Sequence, residues 1–405
     1  MNKQVEFLVV ISLILSILSG AASLLTTLNP NSFFNIYNAI IGTYLALRFF
    51  KRASYMQLIF FSVVLISSFF SEKMSSHAFI SVAYKMPLAS VILLPKSHSS
   101  LLLRKVSMIL KIFVAISFVM YLFSFVGGVP LGTYFSKDQY SGINQLFLLN
   151  YSYNYRNKFC GFCLEPGYFS LLCVALLCVD KFDTKKILNN IVLLSIILSF
   201  SLGGYLLSVI GWTAFVAFNN ELENKLLKRL FPAITAFIFL LVLSNQFSLV
   251  QKMFDDKIIA RMELDSDKGI VGNNRQSTAA EIYLLSVLES REIIWGIGSE
   301  KYQEDKNSIS YYDACSYLVF LVQYGIIYTI LLLSSLALFT FGKNDKKRNF
   351  LYLFLVFIAD FIQHGLPFGS LFILYILYVN TYRSSKSIHM HERLSYLSRT
   401  NIKIS

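Results

Sequence analysis

The sequence predicts an all-α polytopic membrane protein of about twelve transmembrane helices, and three observations predict it. Of its 405 residues, 55% are hydrophobic and 15% charged, with a mean hydropathy of +0.58. A soluble domain carries about 25% charged residues. Apolar runs recur near residues 5–24, 33–48, 56–71, 78–94, 107–127, 162–179, 187–201, 204–218, 230–247, 313–341, 349–363 and 367–382. Finally, the short connections alternate in charge. One set holds Lys3; Arg48, Lys51 and Arg52; Lys96, Arg104 and Lys105; Lys181, Lys185 and Lys186; Lys225, Lys228 and Arg229; and Lys343, Lys346, Lys347 and Arg348. The opposite set holds Lys73, Lys137, Arg156 and Lys158.

Cytoplasmic loops carry the excess of lysine and arginine, so this alternation places both termini in the cytoplasm. The tail after Tyr382, with Arg383, Lys386, Arg393 and Arg399, agrees. The net charge of +13 is therefore topological. It forms no single phosphate-reading stripe, and nucleic acid is excluded as a partner.

In order along the chain, residues 1–127 are expected to hold the first five spans. The first run follows a single lysine and is long, which reads as an uncleaved span rather than a signal peptide. Lys85 falls inside the fourth span, where a charge either faces a polar cavity or snorkels to one face. Residues 128–165 form a first outer loop, 166–247 spans six to nine, 248–312 a large outer loop, 313–382 the last three spans, and 383–405 a cytoplasmic tail.

The first outer loop ends in the richest motif of the chain, Arg156-Asn-Lys-Phe-Cys-Gly-Phe-Cys-Leu-Glu165-Pro166-Gly-Tyr168. Pro166 suits the first turn of a helix, which puts Glu165 near the N-cap of the sixth span. The helix dipole favours its ionised form there. Two readings follow: a capping carboxylate, or a base for a sugar hydroxyl and partner of an arginine. Tyr151, Tyr153 and Tyr155 share one face if extended, and flat rings beside Arg156 suit stacking on a sugar near an anion. An interfacial aromatic belt is the bland alternative. Cys160 and Cys163 have redox spacing without redox surroundings, and read as an incidental pair or a local disulfide. Cys173, Cys178 and Cys315 read as small core residues.

The spans 187–201 and 204–218 form a short hairpin through Ser199-Phe-Ser-Leu-Gly-Gly204. In the large loop, Asp265-Ser-Asp267 with Glu263 nearby is a solvated acidic cluster with a weak metal-binding pattern. Thr278-x-x-Glu281 is a capping box that opens a helix to about Glu292. Its spacing places Leu285 and Leu288 on the apolar face. Trp295-Gly-Ile-Gly298 ends it, the glycines supplying the turn. Arg275 stands just before the helix start, where free N–H groups, the dipole and a guanidinium fork suit an anion such as a lipid diphosphate; the alternative is a surface arginine paired with Glu281 or a nearby aspartate. Arg291 lies at the far end of the same helix, and Asp313 opens the next span; both join the substrate-binding candidates. His364, one turn after Asp360 at the turn between the last two spans, is either placed for a proton shuttle or a phosphate contact or is a plain interfacial histidine. The sequence has no H-E-x-x-H, no Cys/His cluster and no P-loop.

Three patches, in this order and placement, resemble the Wzy-type O-antigen polymerases of the O-antigen polymerase and ligase family. They are Arg156…Gly161-Phe162…Glu165-Pro166; Ser199-x-Ser201-x-Gly203-Gly204; and Arg275, Gly296-Ile297-Gly298, Ser316-Tyr317-Leu318 and Gly325. The resemblance implies a GT-C-like fold in the bacterial inner membrane. It implies transfer of an undecaprenyl-diphosphate-linked glycan onto another lipid-linked repeat unit at the periplasmic face, without metal or cofactor. Arg156 and Arg275 would neutralise the donor diphosphate, and Glu165 would be the base or would orient an arginine. Tyr153, Tyr155, Arg291, His364 and Asp313 would contact substrate. Membrane lipid is an implied partner, and a polysaccharide chain-length regulator is a further candidate. The ligases usually carry a histidine before the Ser-Tyr-Leu stretch; here the neighbourhood reads Tyr311-Tyr-Asp-Ala-Cys315, which favours polymerase over ligase. A lipid-linked oligosaccharide flippase is the alternative outside enzymes. The long outer loop and the charges gathered at one face argue against it.

Overall fold

The computed structural model describes residues 3–20, 31–73, 77–127, 134–135, 142–145, 149–152, 158–163, 165–218, 264–265, 269–270, 278–309, 316–341 and 370–382. The fold is helical. Its helices are α1 Lys3–Gly20, α2 Asn31–Phe49, α3 Tyr55–Ser71, α4 His77–Ile92, α5 Lys96–Gly127, α6 Pro166–Val179, α7 Ile187–Leu198, α8 Leu202–Phe218, α9 Thr278–Glu289, α10 Ser299–Ser308, α11 Ser316–Phe341 and α12 Ser370–Tyr382. Strands among the described residues are short: β1 Tyr134–Phe135, β2 Gly142–Gln145 and β3 Leu149–Ser152 form one antiparallel ladder, and β4 Leu264–Asp265 pairs with β5 Gly269–Ile270.

Two stretches, Lys96–Phe123 and Leu318–Phe341, are long and apolar enough to cross a membrane. Shorter apolar helices cover Tyr55–Ser71, Pro166–Val179, Ile187–Leu198 and Leu371–Tyr382. The runs near 230–247 and 349–363 lie outside the described residues.

The last helix is the hub. Leu371–Val379 of α12 is buried along its whole length. It packs against α1, α4, α5 and α6. A helix apolar all round belongs inside a bundle, and its sequence, Leu-Phe-Ile-Leu-Tyr-Ile-Leu-Tyr-Val, offers no polar face. Asn380 ends this run and is buried too. Its amide donates to the carbonyl of Val91 at 3.0 Å, and Gln57 donates to the carbonyls of Ile92 at 2.7 Å and Leu94 at 3.3 Å. These bonds satisfy backbone groups freed where α4 ends, which a dry interior would penalise.

That knot joins the start of α3 to the ends of α4 and α12. Further ion pairs and ring contacts tie neighbouring helices together. Lys105 pairs with Glu6, and the rings of Phe49 and His98 lie 5.1 Å apart. Lys111 reaches Asp180 at 2.5 Å and Asn189 at 2.8 Å, and Lys186 reaches Asp180 at 2.8 Å. The turn after α2 thus meets the start of α5 through Phe49 and His98, and the turn after α6 meets the body of α5 through Asp180.

Two helices differ from the sequence reading. α5 begins at Lys96, not 107, because no breaker stands between Pro95 and Gly127. α11 is broken at Gly325, whose φ of 83° and ψ of 166° interrupt the helix.

Candidate functional site

Glu165 is the N-cap of α6, in extended conformation, with Pro166 at the first helical position. Its side chain is exposed and makes no capping hydrogen bond. The carboxylate is therefore not spent on the helix end. The residues before it are buried: Lys158, Phe159, Cys160, Phe162 and Cys163. Phe159 and Phe162 both pack edge-on against Phe169 of α6, with ring centroids 4.9 and 6.2 Å apart. Gly161 has φ +55°, and any Cβ there would overlap the Phe169 ring. The turn that carries Glu165 is thus an aromatic wedge that only glycine closes.

This wedge rests on the α7–α8 hairpin. The Phe159 N–H donates to the carbonyl of Leu198 at 3.0 Å. Ser199 and Ser201 bond within their own turn, to the Ile196 carbonyl and from the Gly204 N–H. Gly204 lies against the Ser170 side chain of α6. The first two sequence patches are therefore one structural unit.

Gly296-Ile297-Gly298 and Gly325 of the third patch form a second unit. At the Gly325 break, the carbonyls of Val322 and Gln323 accept from the N–H groups of Ile297, at 2.8 Å, and Gly298, at 3.1 Å. The Gly-Ile-Gly loop thereby supplies the donors that the broken helix lacks. Lys73 donates to the carbonyl of Gly296, and Ser299 bonds Glu72 at 3.1 Å. One turn deeper, Lys85 of α4 donates to Ser67 at 2.7 Å and lies over the Tyr324 ring at 5.6 Å. Lys85 is held by these side chains rather than extended to one face.

Among the predicted site residues, Glu165 stands where the sequence placed it. Arg291 is exposed at the start of a 3-10 turn, Arg291–Ile294, beside the Glu292–Lys301 pair at 3.0 Å. Arg156, Tyr153, Tyr155, Arg275, Asp313 and His364 lie outside the described residues, as do Glu263, Asp267 and Cys315. Asp265 sits in the β4–β5 pair. Tyr151 lies in β3.

Of the two readings of the cysteine pair, the incidental pair holds: Cys160 and Cys163 form no disulfide and are buried. Burial pushes the Cys160 thiol up to about 12, with Lys158 pulling it down and Glu165 adding to the rise. Cys173 and Cys178 are buried core residues, as expected. In the large loop, α9 does begin at Thr278, but it ends at Glu289, and Leu284 and Val287 form its buried face while Leu285 is 49% exposed. The reason is its seat on α11, where Leu284, Val287, Ile293, Ile297, Tyr302 and Val322 make a small second core. Sequence reasoning placed Lys73 among the outer-loop charges without a contact and passed over Glu72; their signal is a charged pair ending an apolar run.

No family model matches the sequence, and neither a curated protein nor a solved structure matches it.

Proposed function

We propose that this chain is an O-antigen polymerase of the Wzy type, a glycosyltransferase of the bacterial inner membrane with about twelve spans, a GT-C-like arrangement and a periplasmic active site. One observation carries the reading. Glu165 is exposed at the N-cap of α6 and makes no capping hydrogen bond, on a turn whose place is fixed by Phe159 and Phe162 against Phe169.

In this reading an acceptor sugar hydroxyl attacks the anomeric carbon of the donor glycan. The bond from that carbon to the undecaprenyl diphosphate breaks, and the diphosphate leaves with its electron pair. Glu165 takes the hydroxyl proton. Arg156 and Arg275 neutralise the charge that grows on the diphosphate, which is where electrostatic stabilisation contributes most. Tyr153, Tyr155, Arg291, His364 and Asp313 are the proposed substrate contacts.

The test is the lipopolysaccharide ladder of a strain with the gene deleted and then restored. Core bearing one repeat unit, with the ladder returning on complementation, is the expected result. Long polymer accumulating on the lipid carrier would mean ligase. Single units trapped on the cytoplasmic side would mean flippase, a second reading that Lys85 favours, because an ionisable group inside a span marks transport pathways. An unchanged ladder would overturn the proposal.

A further inference from the structure

The loop between α9 and α10 leaves an indole uncovered at an unexpected depth. Trp295 is 59% exposed and Ile294 42% exposed, while Gly296, Ile297 and Gly298 behind them are buried. The backbone of Trp295 and Ile294 lies against Gly325, so closely that a Cβ on Gly325 would overlap both. Gly325 is well inside the apolar stretch of α11, which begins at Leu318 and runs 24 residues. At ~1.5 Å per residue the helical part before the break puts Gly325 ~10 Å from the start of the stretch. A bilayer core is ~30 Å thick, so if α11 crosses one, the break falls within its outer part.

Irregular backbone is tolerated at that depth only where protein satisfies its polar groups. Here it does. Ile297 and Gly298 donate to Val322 and Gln323, Trp295 donates to Glu292, and the Gly296 carbonyl accepts from Lys73. The exposed side chains continue the outward apolar surface of α11, where Ile326, Ile327 and Ile330 are 39%, 39% and 59% exposed. Phe70 of α3 stacks beneath the indole, its ring 6.3 Å away and tilted by 20°.

We infer that residues 294–298 form a re-entrant tip of the large loop, with Trp295 and Ile294 seated among the lipid acyl chains at the outer boundary of the bilayer. An indole there has an apolar body and one N–H donor, which suits the boundary between chains and headgroups. The tip would pin the loop to the membrane plane. This rests on α11 crossing a bilayer, and not on any sugar chemistry.

The chain has two tryptophans, so Trp212→Phe leaves Trp295 as the sole reporter. The full-length protein is reconstituted in phosphatidylcholine vesicles whose acyl chains carry bromine near the headgroup or near the chain end. Trp295 should lose most of its emission to the shallow bromines, less to the deep ones, and little to aqueous iodide. Strong iodide quenching with no effect of bromine would overturn the inference by placing the indole in water. Quenching by neither would overturn it by placing protein over the indole. If Trp212→Phe fails to fold, the difference between wild type and Trp295→Phe reads the same emission.

Discussion

Gly296 and Gly325 meet backbone to backbone, one in the large loop and one in the middle of α11. Both have positive φ, 76° and 83°, and neither leaves room for a Cβ. Gly325→Ala should therefore destabilise the protein by about 1–3 kcal/mol through strain alone, with the overlap adding to it. The loss should be local, because α9 and α10 reach the bundle through this contact. The expected readout is faster proteolysis within residues 278–309 of the detergent-solubilised variant, with the rest of the chain cleaved at the wild-type rate. Equal resistance of the loop would disprove the clamp.

The helices themselves were legible because apolar runs bounded by charge declare their ends. Four boundaries fall within two residues of the expected ones: α2, α3 and α7 begin at 31, 55 and 187, and α12 ends at Tyr382. The break in α11 was not legible. Gly325 sits in a run that reads as a single span, and what makes it a break is a partner loop almost thirty residues earlier in sequence. The same tertiary partner chose Leu284 over Leu285, two positions that spacing alone cannot rank. In the site, the N-cap place of Glu165 followed from Pro166, a local signal. The packing of Phe159 and Phe162 on Phe169, and of the whole wedge on Leu198, is long-range and left no local trace.

Cys160 and Cys163 are packing residues, and their chemistry should follow from that. With its thiol held up near 12 by burial, Cys160 is protonated at neutral pH and a poor nucleophile. Maleimide should label neither cysteine in the native protein and both after denaturation, as read by peptide mass spectrometry. Replacing both by serine should leave the polysaccharide ladder unchanged. Rapid native labelling, or a lost ladder at normal protein levels, would restore a redox or disulfide role.

Lys111 is 3% exposed in its side chain and is paired with Asp180. Removing one member of a buried pair costs about 3–5 kcal/mol, since the other is left uncompensated. Lys111→Ala should lower thermal stability accordingly, and Lys111→Met with Asp180→Asn should recover most of it. Burial alone would raise the Asp180 carboxyl, but Lys111 and Lys186 outweigh it and hold the group below its ordinary 3.8. A carboxylate lowered in this way contributes stability that is present above 3.8 and lost as pH falls through the folded value. Wild type should therefore lose stability more steeply than Asp180→Asn in acid below about pH 4. Parallel acid profiles would mean the pair contributes nothing.

Glu165 separates its two readings by a pair of measurements on one variant. A carboxylate that caps a helix contributes about 1 kcal/mol to stability. The Glu165 side chain makes no such bond, and Pro166 removes one of the N–H groups that would need it. Glu165→Gln should therefore cost less than the ~1 kcal/mol of a lost cap. A general base contributes about 10²–10⁴-fold in rate, and the amide cannot accept the proton. The same variant should then lose the ladder while its protein level stays normal. Arg156→Ala and Arg275→Ala should lose it as well, since the departing diphosphate would be left without its counter-charges. A Glu165→Gln protein that melts early yet polymerises normally would make Glu165 a structural cap. Full activity in both arginine variants would remove the diphosphate assignment, and with it the argument that charge in the outer loops is there for chemistry.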